Sequence, residues 1–354
     1  MLEVQIAAPG RLEVAEVAEP DPGPGEVLLQ LHSVGICGGD VSLFKGTNAI
    51  ARYPAVPGHE CVAEVLAVPE GSALRPGDHV VVYPTFSCGV CRACQAGHSN
   101  RCSQMRVFGL SAPGGCCAER FTLPEAHCLP LPSGMADFVG ALVEPVAVGC
   151  HVVDRGGVVD GDTALVIGSG SIGMATAMVA RARGVARVLF ADVHDARQRV
   201  VEECGFSDFT TAQGEDLVSW VRELVGGVDL VYDTVTVDAT AATASELLNG
   251  GGRYVAIAAA KPDHRLTLSY EHFYGKELAV VACRNYRRDD FTAAIGMIAE
   301  GSVDPRPLRT AVHALSNSST ALDELVHRAR DNVKVLLTRA DLLDSSPLLT
   351  GGTR

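Results

Sequence analysis

Four cysteines, Cys88, Cys91, Cys94 and Cys102, crowd into the segment CGVCRACQAGHSNRC. Two-residue gaps let successive thiolates turn onto one ion, and the longer gap lets the fourth close a tetrahedron. Four soft thiolates in a closed set suit zinc by ligand type and by geometry. The plainer alternative is four reduced thiols in a surface loop. A closed four-thiolate site keeps no coordination position open, so it braces the chain and cannot activate a substrate. Chemistry has to come from other residues.

A second group is more dispersed. Cys37 sits in GICGGD, His59 and Glu60 in PGHE, and Glu144 opens EPVAVGCHV. Taken singly, a cysteine in a strand is ordinary core and a lone histidine is a satisfied polar group. A third group is contiguous: Gly168, Gly170 and Gly173, with Ser171 and Ile172 between the last two. The strand-like ALVI at 164–167 runs into these glycines, a helix-like run follows them, and Asp192 ends the next strand-like segment. Those are the three contexts a dinucleotide-binding turn requires. Gly168 permits the tight turn, Gly170 lets the backbone approach a pyrophosphate, and Gly173 allows close packing of helix on strand. The helix N-terminus attracts the phosphate charge. Asp192 can accept hydrogen bonds from ribose hydroxyls and would repel a 2'-phosphate, which predicts NAD in preference to NADP. Arg197 joins the candidate cofactor-binding set, and with His194 it counts against strict exclusion of NADP.

The elements that must carry these groups change character along the chain. The first part reads as β-rich: Glu26 to Leu31 alternates, Cys61 to Val68 and His79 to Tyr83 are short apolar runs, and Gly and Pro punctuate between them. From about Gly149 the rhythm becomes strand, glycine turn, helix. Strands are expected at 164–167, 188–191, 228–232, 254–258 and 278–282, which indicates parallel βαβ units. Helices are expected near 290–300 and 319–330, and a terminal strand at 333–337. This tail is too short to stand alone and is expected to complete the first lobe. Residues from about Asp341 to Arg354 are expected to fray.

Composition sets the outer bounds. A length of 354 residues suggests roughly two domains, and 47% hydrophobic residues supply real cores. A formal net charge of -13 argues against a nucleic-acid partner, because phosphate backbones need a concentrated basic surface. No segment approaches the roughly 20 apolar residues of a membrane span, and Met1 to Gly10 holds no apolar stretch of signal length. Twelve cysteines without a secretory signal fit a reducing cytoplasm better than a disulfide scaffold.

With these motifs together, the chain resembles the zinc-dependent medium-chain alcohol and polyol dehydrogenases, above all the sorbitol, idonate, threonine and cyclitol dehydrogenase group. The resemblance runs over nearly the whole chain, up to NVKVLL at 332–337. It implies an α/β fold in which a GroES-like β-rich catalytic domain, 1–148 and 285–354, is interrupted by a Rossmann doubly wound parallel-sheet NAD-binding domain at 149–284. A structural zinc lobe is implied near 86–104. Cys37 resembles the catalytic thiolate ligand and His59 the imidazole ligand. Glu60 resembles the carboxylate that ligates the metal or sits beside it. Glu144 resembles a second carboxylate that exchanges with Glu60 or water, and Asp40 the acid that orients the histidine. Two zinc ions per chain, NAD and a small hydroxylated substrate are implied, with a secondary alcohol and its ketone interconverted. Edge strands such as 278–282 pair subunits in this family, which implies a homodimer or homotetramer.

Two departures mark this chain. Family members carry Ser or Thr two residues after the catalytic cysteine, where the hydroxyl relays the alcohol proton; here the residue is Gly39. In CRNYRRDD, the residues Arg284, Asn285 and Tyr286 stand where polyol dehydrogenases show an Arg-Tyr pair near the substrate, and equally they can be surface or interface residues. Two other readings remain open on sequence alone. One is a zinc-containing reductase of an imine or conjugated carbonyl, for which a proton relay matters less. The other is a non-catalytic NAD- and zinc-binding protein.

Overall fold

The computed structural model describes residues 1–345 apart from 49, 134, 136–137, 259–264 and 329. Two compact units form, Met1–Glu144 together with the chain from Arg309 onward, and Pro145–Leu308.

The first unit contributes β1 (Leu2–Ala8), β2 (Arg11–Glu16), β3 (Glu26–Ile36), β4 (Glu60–Ala67), β5 (His79–Val82), β6 (Thr85–Phe86), β7 (Arg106–Val107), β8 (Arg120–Pro124) and β9 (Cys128–Pro130). The second contributes β10 (Thr163–Ile167), β11 (Arg187–Ala191), β12 (Asp208–Thr210), β13 (Val228–Asp233), β14 (Leu248–Ala256) and β15 (Ala279–Ala282). The chain then returns to the first unit with β16 (Arg309–Ala314) and β17 (Lys334–Thr338).

The organiser of the first unit is β3. Its Val27, Leu29 and Leu31 alternate with half-buried neighbours and are fully buried, each burial worth roughly 1.5–3 kcal/mol. The first half of β3 pairs with β8 and the second half with β17, while β4 lies along its other edge. From Ser33 to Ile36 the strand is buried on both faces, and this stretch leads directly into Cys37.

The second unit is a parallel sheet of order β12-β11-β10-β13-β14-β15 among the described residues. The chain winds outward from β10 to β12, then returns to the far side of β10 with β13. Order therefore reverses between β10 and β13, and ligands of such sheets bind outside the carboxyl ends of the strands at that reversal.

The boundaries differ from the expected 148 and 285. Entry into the second unit falls within the helix Val143–Gly156, a helix that sequence reading did not anticipate. The return comes at Arg309, because the helix Arg288–Ala299 stays with the second unit: Asp290 is bonded at 2.9 Å to buried His151. Asp290 also accepts from the Arg287 backbone N–H and guanidinium. The strand expected at 254–258 begins earlier, at Leu248. Residues Ala340–Ser345 form a helix where fraying was expected, and 346–354 lie outside the described residues.

Candidate active site and metal centres

In the cysteine lobe, Cys88 and Cys94 sulfurs lie 3.9 Å apart, Cys91 and Cys94 3.5 Å, and Cys88 and Cys102 3.5 Å. Zinc–sulfur bonds of about 2.3 Å require sulfurs about 3.8 Å apart in a tetrahedron, so the four fit one zinc ion. All are free thiols. Backbone N–H groups of Cys91 and Gln104 point at the Cys88 and Cys102 sulfurs. Hydrogen bonds from the Val90 and Cys91 backbone, with the Cys102 thiol, hold Cys88 down at about 6. Donors aimed at sulfur favour the thiolate a metal needs.

The second cluster gathers Cys37, Asp40 and His59, whose ligand atoms lie within 4.8 Å of one another. The short helix Gly38–Phe44 begins at Cys37, and the Asp40 carboxylate accepts the Cys37 N–H at 2.9 Å. The other Asp40 oxygen accepts the Gly58 N–H at 3.1 Å. One buried carboxylate thus holds the backbones that carry both the thiol and the imidazole. The resemblance implies that Asp40 orients the histidine. Its oxygen stands 3.7 Å from His59 Nδ1, beyond hydrogen-bond distance but near enough to act on the ring electrostatically, and its hydrogen bonds are to the main chain. His59 Nδ1 is buried and has no hydrogen-bond partner among the described residues. A thiol, an imidazole with an orphaned ring nitrogen and a carboxylate gathered within 4.8 Å, two of the three buried, fit a borderline metal such as zinc. Burial alone would push the His59 imidazole down, but Asp40 and Cys37 outweigh it and hold it well above its usual range.

Glu60 lies beside this cluster, near enough to act electrostatically on Asp40. Its two oxygens accept from Lys334 Nζ at 2.7 and 2.6 Å, with both side chains almost completely buried. Lys334 opens β17 and Glu60 opens β4, on opposite sides of β3. They meet over Gly35, where any Cβ would collide with the Glu60 carboxylate. Burial would lower the Lys334 ammonium, but Glu60 and Cys37 outweigh it and raise it. Glu144 is buried and close enough to act electrostatically on both His59 and Lys334.

Gly39 has a neighbour that explains its size. A Cβ built there would stand 3.1 and 3.2 Å from the Leu110 methyls and 3.6 Å from Cys37 Sγ. Leu110 therefore occupies the room a relay hydroxyl would need. Leu110 also lines a cavity of about 730 Å³ with Arg52, Cys88, Gln104, Arg106 and Ser111, which none of Cys37, Asp40 and His59 lines.

In the second unit, Gly168 follows β10 with φ +90, and Gly173 packs so closely that a Cβ would strike the Gly168 carbonyl. A Cβ on Gly170 would meet nothing within 4 Å, which leaves open space where the helix Ser171–Ala182 begins. That helix has no side-chain cap at Gly170, so its first N–H groups are available to an anion. Ser171 and Ile172 form its half-buried first turn. Asp192 Oδ2 accepts from both the N–H and the hydroxyl of Ser169 at 2.7 Å, and Oδ1 accepts from the His194 N–H at 3.0 Å. The residues present fit a dinucleotide. Arg197 is buried at the end of the turn Asp195–Arg197.

Of the expected substrate residues, Tyr286 is core: it is 2% exposed and packs edge-on against Phe291, with ring centroids 4.8 Å apart. Its ring is committed to holding the helix Arg288–Ala299, so it is withdrawn as a substrate contact. Arg284 is exposed, and Asn285 is half-buried with φ 49.

Sequence reading missed Lys334, Ser169 and Leu110. Lys334 had a signal, since a lysine inside the apolar run VKVLL must find a partner if the strand is buried.

No helix among the described residues is long and apolar enough to cross a membrane. Residues 23–133 match the alcohol dehydrogenase GroES-like domain, and residues 171–300 match the zinc-binding dehydrogenase domain. The chain is 31% identical over 323 residues to L-idonate 5-dehydrogenase of Vitis vinifera, covering 88% of this chain and 87% of that one. It is 32% identical over 304 residues to 2-dehydro-3-deoxy-L-galactonate 5-dehydrogenase of Pseudoalteromonas atlantica, covering 85% and 88%. Among solved structures, an alcohol dehydrogenase of Escherichia coli CFT073 complexed with NADH superposes with a TM-score of 0.89 at 28% identity, covering 96% and 99%. The 2R,3R-butanediol dehydrogenase of Bacillus subtilis superposes with a TM-score of 0.87 at 26% identity, covering 95% and 99%. The chain belongs to the zinc-dependent medium-chain polyol dehydrogenase family and is an oxidoreductase acting on CH–OH groups.

Proposed function

We propose that the chain oxidises a secondary hydroxyl of a polyol, sugar, sugar acid or (amino)cyclitol to the ketone with NAD, or runs the reverse reaction, at a zinc ion held by Cys37 and His59. The observation that carries this reading is the convergence of half-buried Cys37 on buried His59, in a chain whose glycine turn also has a pinned Asp192. When bound, zinc supplies Lewis acidity toward the carbinol oxygen and the dinucleotide accepts the hydride. A second zinc belongs to Cys88, Cys91, Cys94 and Cys102 and braces the lobe.

The chain's own residues divide the remaining work. Cys37 and His59 hold the ion, and Asp40 holds their main chains. Lys334 keeps Glu60 occupied, which leaves Glu144 or water to complete the metal's surroundings. The carbinol proton cannot leave through position 39, so water, Glu144 or a neighbouring substrate hydroxyl takes it. Asp192 receives the adenosine ribose, which supports NAD over NADP.

The relatives named for idonate and deoxygalactonate support a hydroxylated, open-chain or cyclic substrate of sugar size. The exposed edge of β15, with Val280 45% exposed, supports pairing of subunits into a dimer or tetramer. A panel of polyols, aldonates and cyclitols with NAD, and of their ketones with NADH, followed at the nicotinamide absorbance, tests the activity. Turnover of at least one member is expected; no turnover in either direction by zinc-loaded protein contradicts it.

A further inference from the structure

The turn after β13 carries more bonding than a connection needs. Asp233 ends that strand fully buried. Its Oδ1 accepts the N–H groups of Val235 at 2.8 Å and Thr236 at 2.7 Å, and its Oδ2 accepts the Tyr254 hydroxyl at 2.8 Å. Thr236 is held at φ 51, a left-handed conformation that is costly for a β-branched residue. Its hydroxyl donates to the Asp233 carbonyl and accepts from the Ile257 and Ala258 N–H groups. Thr234 donates to the Ile167 carbonyl at 2.9 Å, against Gly168. The outcome of this bracing is exposed: Val235 and Val237 stand 45% and 39% accessible.

The strand order says what this turn faces. Asp192 at the end of β11 lies on one side of the glycine turn after β10, and the Asp233 turn lies on the other. A dinucleotide whose adenosine ribose is at Asp192 and whose pyrophosphate is at Gly170 carries its second nucleoside across to the end of β13. Strain held by a fully buried carboxylate beside a ligand crevice is a positioning device.

We infer that Asp233 is a positioning residue for the nicotinamide half of the cofactor, clamping the 234–237 turn so that Val235 and Val237 form a preformed apolar wall beside it. The inference rests on the dinucleotide reading above. Burial, and then the Asp233 carboxylate, push the Tyr254 phenol up, so it remains a donor to the clamp.

Calorimetric titration of the zinc-loaded full chain with ADP and with NADH tests this. ADP reads the adenosine half alone, and NADH reads both halves. Asp233→Asn is expected to weaken NADH at least tenfold and to leave ADP within twofold. Tyr254→Phe, which removes one bond and keeps the core filled, is expected to weaken NADH about threefold with ADP unchanged, and it serves if Asp233→Asn does not fold. Variants that bind NADH like the wild type, or that lose ADP and NADH in equal measure, overturn the clamp. A wild-type chain that binds neither ligand contradicts the dinucleotide reading itself, and the clamp falls with it.

Discussion

Lys334 and Glu60 form a buried ion pair across Gly35, with Nζ within 2.7 Å of both carboxylate oxygens. A carboxylate that resemblance offers to the metal is thereby paired with an ammonium, with both side chains almost completely buried. Breaking such a pair from one side leaves an uncompensated buried charge, typically at a cost of about 3–5 kcal/mol. Lys334→Met is therefore expected to be strongly destabilising in urea unfolding. The double variant Lys334→Met, Glu60→Gln is expected to recover at least half of that loss. Additive losses in the double-mutant cycle would show that the pair does not act as a unit.

Leu110 and Gly39 make a second coupled pair. Serine at position 39 has to push the Leu110 methyls back by a few tenths of an ångström, and overpacking of this kind costs about 1–3 kcal/mol. Gly39→Ser alone is expected to lower thermal stability and change turnover little. With Leu110→Ala added, alcohol oxidation is expected to rise about tenfold or more, within the range of a positioned proton-transfer group, while ketone reduction changes less. Steady-state rates in both directions check this.

Ser169 pins the Asp192 carboxylate through two bonds to one oxygen. Ser169→Ala removes the hydroxyl bond to a charged acceptor, worth roughly 1.5–3 kcal/mol when fully expressed. The expected result is a KM for NAD raised up to about tenfold with kcat nearly unchanged, and weaker discrimination against NADP. An unchanged NAD to NADP ratio of kcat/KM would remove Ser169 from that role.

The His151–Asp290–Arg287 group predicts an acid-sensitive second unit. Burial would raise the Asp290 carboxyl, but hydrogen bonds from His151 and Arg287 win and hold it below its ordinary value. A folded-state pKa below the unfolded value of about 3.9 means that the contribution is complete above that value. It is lost as pH falls through the lower, folded one. Asp290→Ala is expected to cost about 3–5 kcal/mol near neutral pH. The gap between variant and wild type should narrow below about pH 4 in urea titrations.

Much of this was legible from local pattern. The alternation in β3, the glycine turn after β10 and the cysteine spacing each depend on residues close in sequence, and each carries its own periodicity or motif. The rest depends on partners far apart. Lys334 and Glu60 are 274 positions distant, and they meet because two strands flank β3 and Gly35 leaves the passage. Asp40 reads as a partner of the histidine ring, yet it holds main-chain N–H groups, which no motif distinguishes. Tyr286 follows a strand among polar residues, where a substrate contact and a core ring look alike until Phe291 is seen against it. The return to the first unit comes at 309 and not at 285, and the buried bond between His151 and Asp290 ties the intervening helix to the second unit.

On the proposed function, the reactive zinc belongs to Cys37 and His59, and the four-cysteine zinc only braces. Wild type, Cys37→Ser and Cys88→Ser should be stripped with a chelator and reloaded with zinc in steps, with bound metal and NAD reduction measured on the same samples. About two zinc ions per wild-type chain are expected, and activity should appear with the equivalent that Cys37→Ser fails to bind. Cys88→Ser should bind about one zinc and keep activity in whatever fraction stays folded. Wild-type turnover that survives complete removal of zinc, or that follows the equivalent lost in Cys88→Ser, would contradict the account.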